Sequence, residues 1–338
     1  MQSLHVRPDT SEHGPGRVTL AEPRGFCAGV RRAIGIVERA LDLHGAPVYV
    51  RKEIVHNHHI VAELERRGAR FVDSEDEVPE GAICVFSAHG VSPAVRANAA
   101  GRELEVIDAT CPLVAKVHQE ALRFARAGRT ILLVGHADHE EIEGVRGEAP
   151  AETIVVESVE DVARLDLPTD TPVAYLTQTT LSFDETARVL DALRARFTDL
   201  VGPHDDDICY ASQNRQNAVK ELARRNDLVL VVGSTNSSNS VRMVEVAREH
   251  GAAAYLVPDA THLDPSWLDP VTTVGVSSGA SAPEVLVRGL VDRLTELGHG
   301  SVEVQQGVTE DVVFSMPGRL ADPTTGRVPK TPLADETR

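Results

Sequence analysis

Four cysteines in 338 residues are too few and too scattered for a disulfide framework. No Cys-x-x-Cys pair of the kind used in structural zinc sites and ferredoxin-type motifs occurs. No apolar run approaches the ~20 residues of a membrane span. The opening residues Gln2, His5, Arg7 and Asp9 lack the apolar core of a secretory signal. A cytoplasmic location and no membrane contact are therefore expected. Positive charge is in deficit: 34 Lys and Arg against 51 Asp and Glu leave a net charge of −17. Phosphate backbones repel such a chain, which argues against a nucleic-acid partner. Neither a G-x-x-x-x-G-K-[ST] loop nor a G-x-G-x-x-G turn after a strand is present, so nucleotide binding is unsupported.

What the chain does have is a cysteine used three times in one setting. Glu105-Val106-Ile107 reads as a strand leading to Asp108-Ala109-Thr110-Cys111, and Pro112 then opens the helical stripe Leu113, Val114, Val117, Ala121 and Ala125. Arg24-Gly25-Phe26-Cys27 precedes the stripe Val30, Ala33, Ile34, Val37 and Leu41, and Asp206-Asp207-Ile208-Cys209 precedes Ala218, Val219, Leu222 and Ala223. A cysteine at a helix start faces unpaired N–H groups and the positive end of the dipole, an environment that favours thiolate. Cys84, inside Ala82-Ile83-Cys84-Val85-Phe86, reads instead as a buried structural thiol.

The rest of the chain repeats with the cysteines. A second strand follows each helix (47–50, 130–134, 228–232) and ends in a polar loop holding His56, His139 or Ser237. Those loop residues lie 29, 28 and 28 positions after their cysteines. A third strand (70–72, 154–156, 254–257) and a fourth follow, the fourth ending in a second polar loop at His89, Thr179 or Ser281. Short apolar strands alternating with amphipathic helices read as parallel α/β units, whose ligands bind at the carboxyl ends of strands. The expected division is a disordered leader over 1–16, α/β lobes at 17–104, 105–199 and 200–300, and a C-terminal extension over 301–338, mobile from about 317. Packed around a pseudo-threefold axis, the lobes would bring three cysteines and six polar loops to one cavity.

Three thiolates around one point suit iron–sulfur chemistry or zinc, and a site with only three protein ligands keeps an open metal position. A cysteine hydrolase with a His base, and a non-catalytic iron–sulfur sensor, are alternative readings. The first leaves the threefold pattern unexplained, and the second needs a partner surface that the acidic balance does not advertise. The loops carry His, Ser, Thr and Asn, which bind phosphate through side-chain donors and helix-start N–H groups. Glu141 is the carboxylate best placed to act as an acid, two residues after His139. Glu140 and Glu143 read as solvated charges at a helix start.

The stretches Pro23-Arg24-Gly25-Phe26-Cys27-Ala28-Gly29-Val30, Val55-His56-Asn57, Ser87-Ala88-His89-Gly90-Val91, Asp108-Ala109-Thr110-Cys111-Pro112, Thr177-Gln178-Thr179-Thr180, Asp207-Ile208-Cys209-Tyr210, Asn236-Ser237-Ser238-Asn239-Ser240 and Gly279-Ala280-Ser281-Ala282-Pro283 resemble the LytB family of 4-hydroxy-3-methylbut-2-enyl diphosphate reductases. The resemblance spans roughly 18–295. It implies the last step of the non-mevalonate isoprenoid route, a two-electron reductive dehydroxylation giving isopentenyl and dimethylallyl diphosphate. It implies a three-lobed α/β fold around a [4Fe–4S] cluster held by Cys27, Cys111 and Cys209, with one open iron. Substrate-binding roles fall to His56, His89, His139, Thr179, Ser237, Ser238, Asn239 and Ser281, and proton donation to Glu141, with Thr179 beside it. The implied partners are a small allylic diphosphate and an electron donor such as ferredoxin or flavodoxin. The family's usual His-Pro-Glu loop reads His139-Glu140-Glu141 here, which keeps the acid and removes the proline.

Overall fold

The computed structural model describes residues 16–205 and 207–320. The leader expected over 1–16 lies outside these residues except for Gly16. Strands and helices alternate along the chain. The first series is β1 (Arg17–Leu20), α1 (Ala28–His44), β2 (Val48–Arg51), α2 (His58–Arg66), β3 (Ala69–Val72), β4 (Ile83–Phe86) and α3 (Pro93–Gly101). The second is β5 (Glu105–Asp108), α4 (Pro112–Arg126), β6 (Thr130–Val134), α5 (Glu140–Arg146), β7 (Thr153–Val156), α6 (Val159–Arg164), β8 (Val173–Thr177) and α7 (Phe183–Arg196). The third is β9 (Leu200–Val201), α8 (Tyr210–Arg225), β10 (Leu228–Val232), α9 (Ser238–Glu249), β11 (Ala253–Val257), β12 (Thr273–Ser278), α10 (Glu284–Glu296) and β13 (Ser301–Val304).

These strands form three sheets in one repeated order: β3-β2-β4-β5, β7-β6-β8-β9 and β11-β10-β12-β1, the last extended by β13. Every pairing is parallel. The three parallel-sheet lobes expected from the alternation are thus present. Each sheet buries both faces, so its strands are apolar at successive positions. Along β10, Leu228, Leu230 and Val232 join one core cluster while Val229 and Val231 join another. In β6, Ile131 and Leu133 alternate in the same way with Leu132 and Val134. Cys84 sits in such a core with Phe86, fully buried, and burial pushes its thiol up to about 12.

The expected lobe boundaries at 105 and 200 need correction. The strand leading into each cysteine does not open the lobe that follows. It closes the sheet before: β5 pairs with β4, and β9 with β8. β1 crosses to the third lobe, pairing with β12 and β13. A parallel partner is chosen by non-local packing, which the local apolar pattern does not encode. Each cysteine therefore lies on the crossing between two lobes.

The C-terminal extension is also more structured than expected. β13 is part of the third sheet, and Leu320, fully buried, enters the first lobe's core beside α1. Arg39 on α1 donates to the Leu320 carbonyl at 3.2 Å. Residues 317–320 open the stretch expected to be mobile, and Leu320 docks them by one apolar anchor. Residues 321–338 lie outside the described residues.

A cavity where three lobes meet

Cys27, Cys111 and Cys209 are the N-cap residues of α1, α4 and α8. The Cys27 sulfur accepts the Val30 N–H at 3.4 Å. Gly29 is required here, because a Cβ at that position would stand 2.7 Å from the Cys111 Sγ and 3.8 Å from that of Cys27. All three sulfurs open onto one cavity of about 110 Å³. At Cys111 and Cys209 burial works against the thiolates expected at helix starts. Desolvation, then the proximity of Cys27, pushes Cys111 up to about 11 and Cys209 up to about 12. Backbone N–H groups at the helix starts pull the other way and lose. Three crowded, soft, half-buried sulfur donors fit a metal centre, since a polyvalent cation deprotonates coordinating thiols outright.

The same cavity is lined by His56 and His89 from the first lobe and by His139, Glu141 and Thr179 from the second. Ser237, Ser238, Asn239 and Ser281 come from the third. The structure thus brings together all twelve site residues named from the sequence. Glu141 is 2% exposed. Its Oε1 accepts the Thr179 N–H at 2.7 Å and its Oε2 lies 2.9 Å from Thr179 Oγ1. Burial, with a smaller push from Asp207, raises its carboxyl to about 7 against these hydrogen bonds. A carboxyl held near neutrality is suited to deliver a proton.

The three histidines are in mutual contact. His56 and His89 stack with centroids 4.0 Å apart, and His139 meets them edge-on at 5.5 and 5.9 Å. His139 caps α5, its Nδ1 accepting the Glu141 N–H at 3.1 Å. That bond assigns the ring proton to Nε2. Desolvation and the charges of His89, His56 and His136 hold His139 down to about 3, so it is a neutral donor. His56 is lowered too, by burial and then by the charge of His89.

Carboxylates that sequence reasoning passed over support two of these rings. Glu53 Oε2 lies 3.2 Å from His56 Nδ1 and accepts from Asn236 Nδ2 at 2.8 Å. Glu140 Oε2 lies 3.0 Å from His89 Nδ1, so Glu140 is not the solvated charge its helix-start position suggests. Burial opposes its ionisation, but the hydrogen bond and charge of His89 outweigh it, and the carboxyl sits below its ordinary range. Ligand atoms of His56, His89 and Glu140 lie within 4.8 Å of one another, a set that suits a cation as well as framing an anion site. Only the position of Glu140 beside His139 hinted at this, since its partner is 51 residues away.

Several polar groups also lock the lobes together. Ser281 Oγ donates to the His56 carbonyl at 2.9 Å, and Thr180 Oγ1 to Ser238 Oγ at 3.0 Å. Asn239 spans both sides of the third lobe's loops: Oδ1 accepts the Ala280 N–H at 2.9 Å and Nδ2 donates to Ser212 Oγ at 3.3 Å. Among the described residues, no helix is long and apolar enough to cross a membrane.

The family model described as LytB protein matches residues 18–295. The chain is 58% identical over 308 residues to the 4-hydroxy-3-methylbut-2-enyl diphosphate reductase of Rhodococcus jostii (strain RHA1), covering 91% of this chain and 92% of that one. It is 59% identical over 305 residues to the protein of the same name from Mycobacterium ulcerans (strain Agy99), covering 90% and 92%. A solved E-1-hydroxy-2-methyl-but-2-enyl-4-diphosphate reductase from Plasmodium falciparum superposes with a TM-score of 0.88 at 38% identity, covering 90% of this chain and 97% of that one. A second solved reductase, described as the terminal enzyme of the non-mevalonate pathway, gives a TM-score of 0.60 at 31% identity, covering 83% and 99%.

Proposed function

The chain belongs to the LytB family, and we propose that the cavity between its lobes is where it performs the reaction its relatives' name denotes. That reaction is the reduction of 4-hydroxy-3-methylbut-2-enyl diphosphate to isopentenyl and dimethylallyl diphosphate, the last step of the non-mevalonate route. Two electrons and two protons enter. One proton leaves with the hydroxyl group as water, and the other ends on carbon.

Cys27, Cys111 and Cys209 would hold a [4Fe–4S] cluster, leaving one iron without a protein ligand. When bound, the cluster supplies electrons and, at that iron, a Lewis acid for the hydroxyl oxygen. The remaining roles belong to the chain. The diphosphate is held by His56, His89 and His139 with Ser237, Ser238, Asn239 and Ser281. His139 offers a neutral Nε2–H, and the hydroxyl and amide groups add donors without requiring net positive charge. Glu141 carries the proton that lets the hydroxyl leave as water, and Thr179 Oγ1, 2.9 Å away, holds its carboxyl in place. Contacts such as Ser281 to His56, made across lobes, hold the walls of the cavity together around the substrate. Electrons arrive from a small reduced carrier of ferredoxin or flavodoxin type.

The observation that carries this reading is one buried carboxyl, Glu141, on the same cavity as three helix-capping cysteines. The test is anaerobic reconstitution with iron and sulfide, followed by turnover of the diphosphate with a reduced dye. Formation of both isomeric products is expected. A protein with full iron and sulfide content that leaves the substrate unchanged overturns it.

A further inference from the structure

Each cysteine opens a helix that carries a cation little more than a turn later: Arg32 five residues after Cys27, Lys116 five after Cys111, and Arg215 six after Cys209. None of the three points back at its own cysteine loop alone. Arg32 Nη1 donates to the carbonyls of Ala109 and Thr110 at 3.1 and 3.0 Å, the two residues before Cys111. Lys116 Nζ donates to the Asp205 carbonyl at 2.7 Å and lies 3.4 Å from Asp207 Oδ1, just before Cys209. Arg215 donates to the Gly25 carbonyl through Nη2 at 2.7 Å and Nε at 3.1 Å, two residues before Cys27. The order is cyclic. The first helix grips the second cysteine's loop, the second grips the third's, and the third grips the first's.

We propose that Arg32, Lys116 and Arg215 form a closed ring of positioning residues that fixes the mutual placement of the three cysteines, with Arg32 also offsetting negative charge collected there. The inference rests on the reading of those cysteines as cluster ligands. Its geometric part follows from topology. Each cysteine sits on a crossing between lobes, where its own N–H donates to the carbonyl just past a neighbouring strand: Ala280 for Cys27 at 3.2 Å, Ala88 for Cys111 at 3.0 Å and Thr179 for Cys209 at 2.9 Å. The carbonyls just before each cysteine are the ones the cations take, so the two sets of bonds together fix the loop. Gly25 shows the grip from both sides: its φ is +69°, its N–H donates to Ser278 Oγ at 2.8 Å, and its carbonyl receives Arg215. The charge part follows from burial. Three thiolates in a desolvated cavity are unfavourable unless cations stand nearby. Arg32 is close enough for the charge of Cys111 to act on its guanidinium. The C-terminal segment reinforces two of the three grips. Glu310 pairs with the fully buried Arg215 at 3.0 Å, and the Ser315 carbonyl receives Arg32 Nε at 2.8 Å.

The experiment compares anaerobically reconstituted parent, Arg32→Met, Lys116→Met and the charge-keeping Arg32→Lys and Lys116→Arg. Arg51→Met serves as control, losing the largely buried Arg51–Glu75 pair at 2.8 Å away from the cysteines. Three quantities are read: iron lost to a chelator, the midpoint potential by titration with electron paramagnetic resonance, and the apo-protein melting temperature. Removing supports of metal ligands typically costs about 10- to 100-fold in metal retention, and that loss is expected for both Met variants. The potential of Arg32→Met should fall, because a nearby cation favours the more negative reduced state. Arg32→Lys should restore the potential, Lys116→Arg should restore iron retention, and the control should match the parent in iron and potential. Met variants that hold iron as the parent does overturn the ring, as does a parental potential in Arg32→Met, or a control that loses iron to the same extent at the same drop in apo-protein melting temperature. A parent that binds no iron overturns the cysteine assignment and the ring with it, which separates the two failures.

Discussion

The cysteine positions and the polar loops line one cavity, yet they are built on different plans. At the cysteines the three lobes are near copies: a sulfur at an N-cap, an apolar helix behind it, and a cation reaching to the next loop. At the polar loops the copies have diverged. The first lobe contributes imidazoles, the second an imidazole with an acid and its hydroxyl partner, and the third only hydroxyls and an amide. A group with near-threefold symmetry is matched by repetition. A substrate with a diphosphate at one end and a leaving hydroxyl at the other is matched only by unlike donors.

Substitutions at the repeated positions should have the largest effect and should be equivalent to one another. Cys27→Ser, Cys111→Ser or Cys209→Ser is expected to abolish cluster retention and turnover, with iron and sulfide analysis as the check. Cys84→Ser should keep its iron. One site variant with parental iron content would break the equivalence on which the comparison stands.

Among the diverged positions Glu141 should matter most. A positioned acid contributes about 10²–10⁴-fold in rate, so Glu141→Gln should lose that much turnover with iron content and substrate binding retained. The pH profile sharpens the point. The carboxyl is raised to about 7, so its proton is present below that pH and lost above it. Turnover should decline as pH rises through about 7, and Glu141→Gln should flatten that limb.

Smaller changes are expected where the loops only bind. His56→Ala, His89→Ala or Asn239→Ala should each raise the substrate dissociation constant roughly ten- to a hundredfold, the effect of losing a bond worth about 1.5–3 kcal/mol to a charged group. Calorimetric titration of the cluster-loaded protein measures this directly, and unchanged affinity in all three would remove the diphosphate from these loops. Smallest of all is Glu140→Gln, which keeps a hydrogen-bond partner for His89 Nδ1 and removes only the charge. Partly exposed pairs contribute about 0.2–1 kcal/mol, so KM should shift by less than about fivefold with kcat unchanged.

The repeated half of the site was legible in the sequence because its causes are local. Pro112 after Cys111 and the apolar stripes behind all three cysteines announce helix starts without knowledge of the fold. Relations across lobes were not legible. Nothing near Glu140 in sequence says that His89 will accept it as a neighbour, and nothing near Arg215 says that Gly25 and Glu310 will bury it. The thiol chemistry was misjudged for the same reason. A helix start is visible locally, whereas the desolvation that overrides it comes from three lobes closing together.

The crossing of β1 into the third lobe has a consequence for how the protein matures. The first two sheets draw their strands from continuous stretches of chain and are free to form as those stretches emerge from the ribosome. The third is not, because its register pairs Arg17 with Thr273 on one side and Ser301 on the other. Such distant partners make it the slowest sheet to assemble, and β1 waits as an unpaired edge until they arrive. Since β1 leads directly to Cys27, that sulfur is carried into place only once β12 and β13 have been made. A ribosome-bound fragment lacking β12 would hold Cys111 and Cys209 in position without Cys27 beside them.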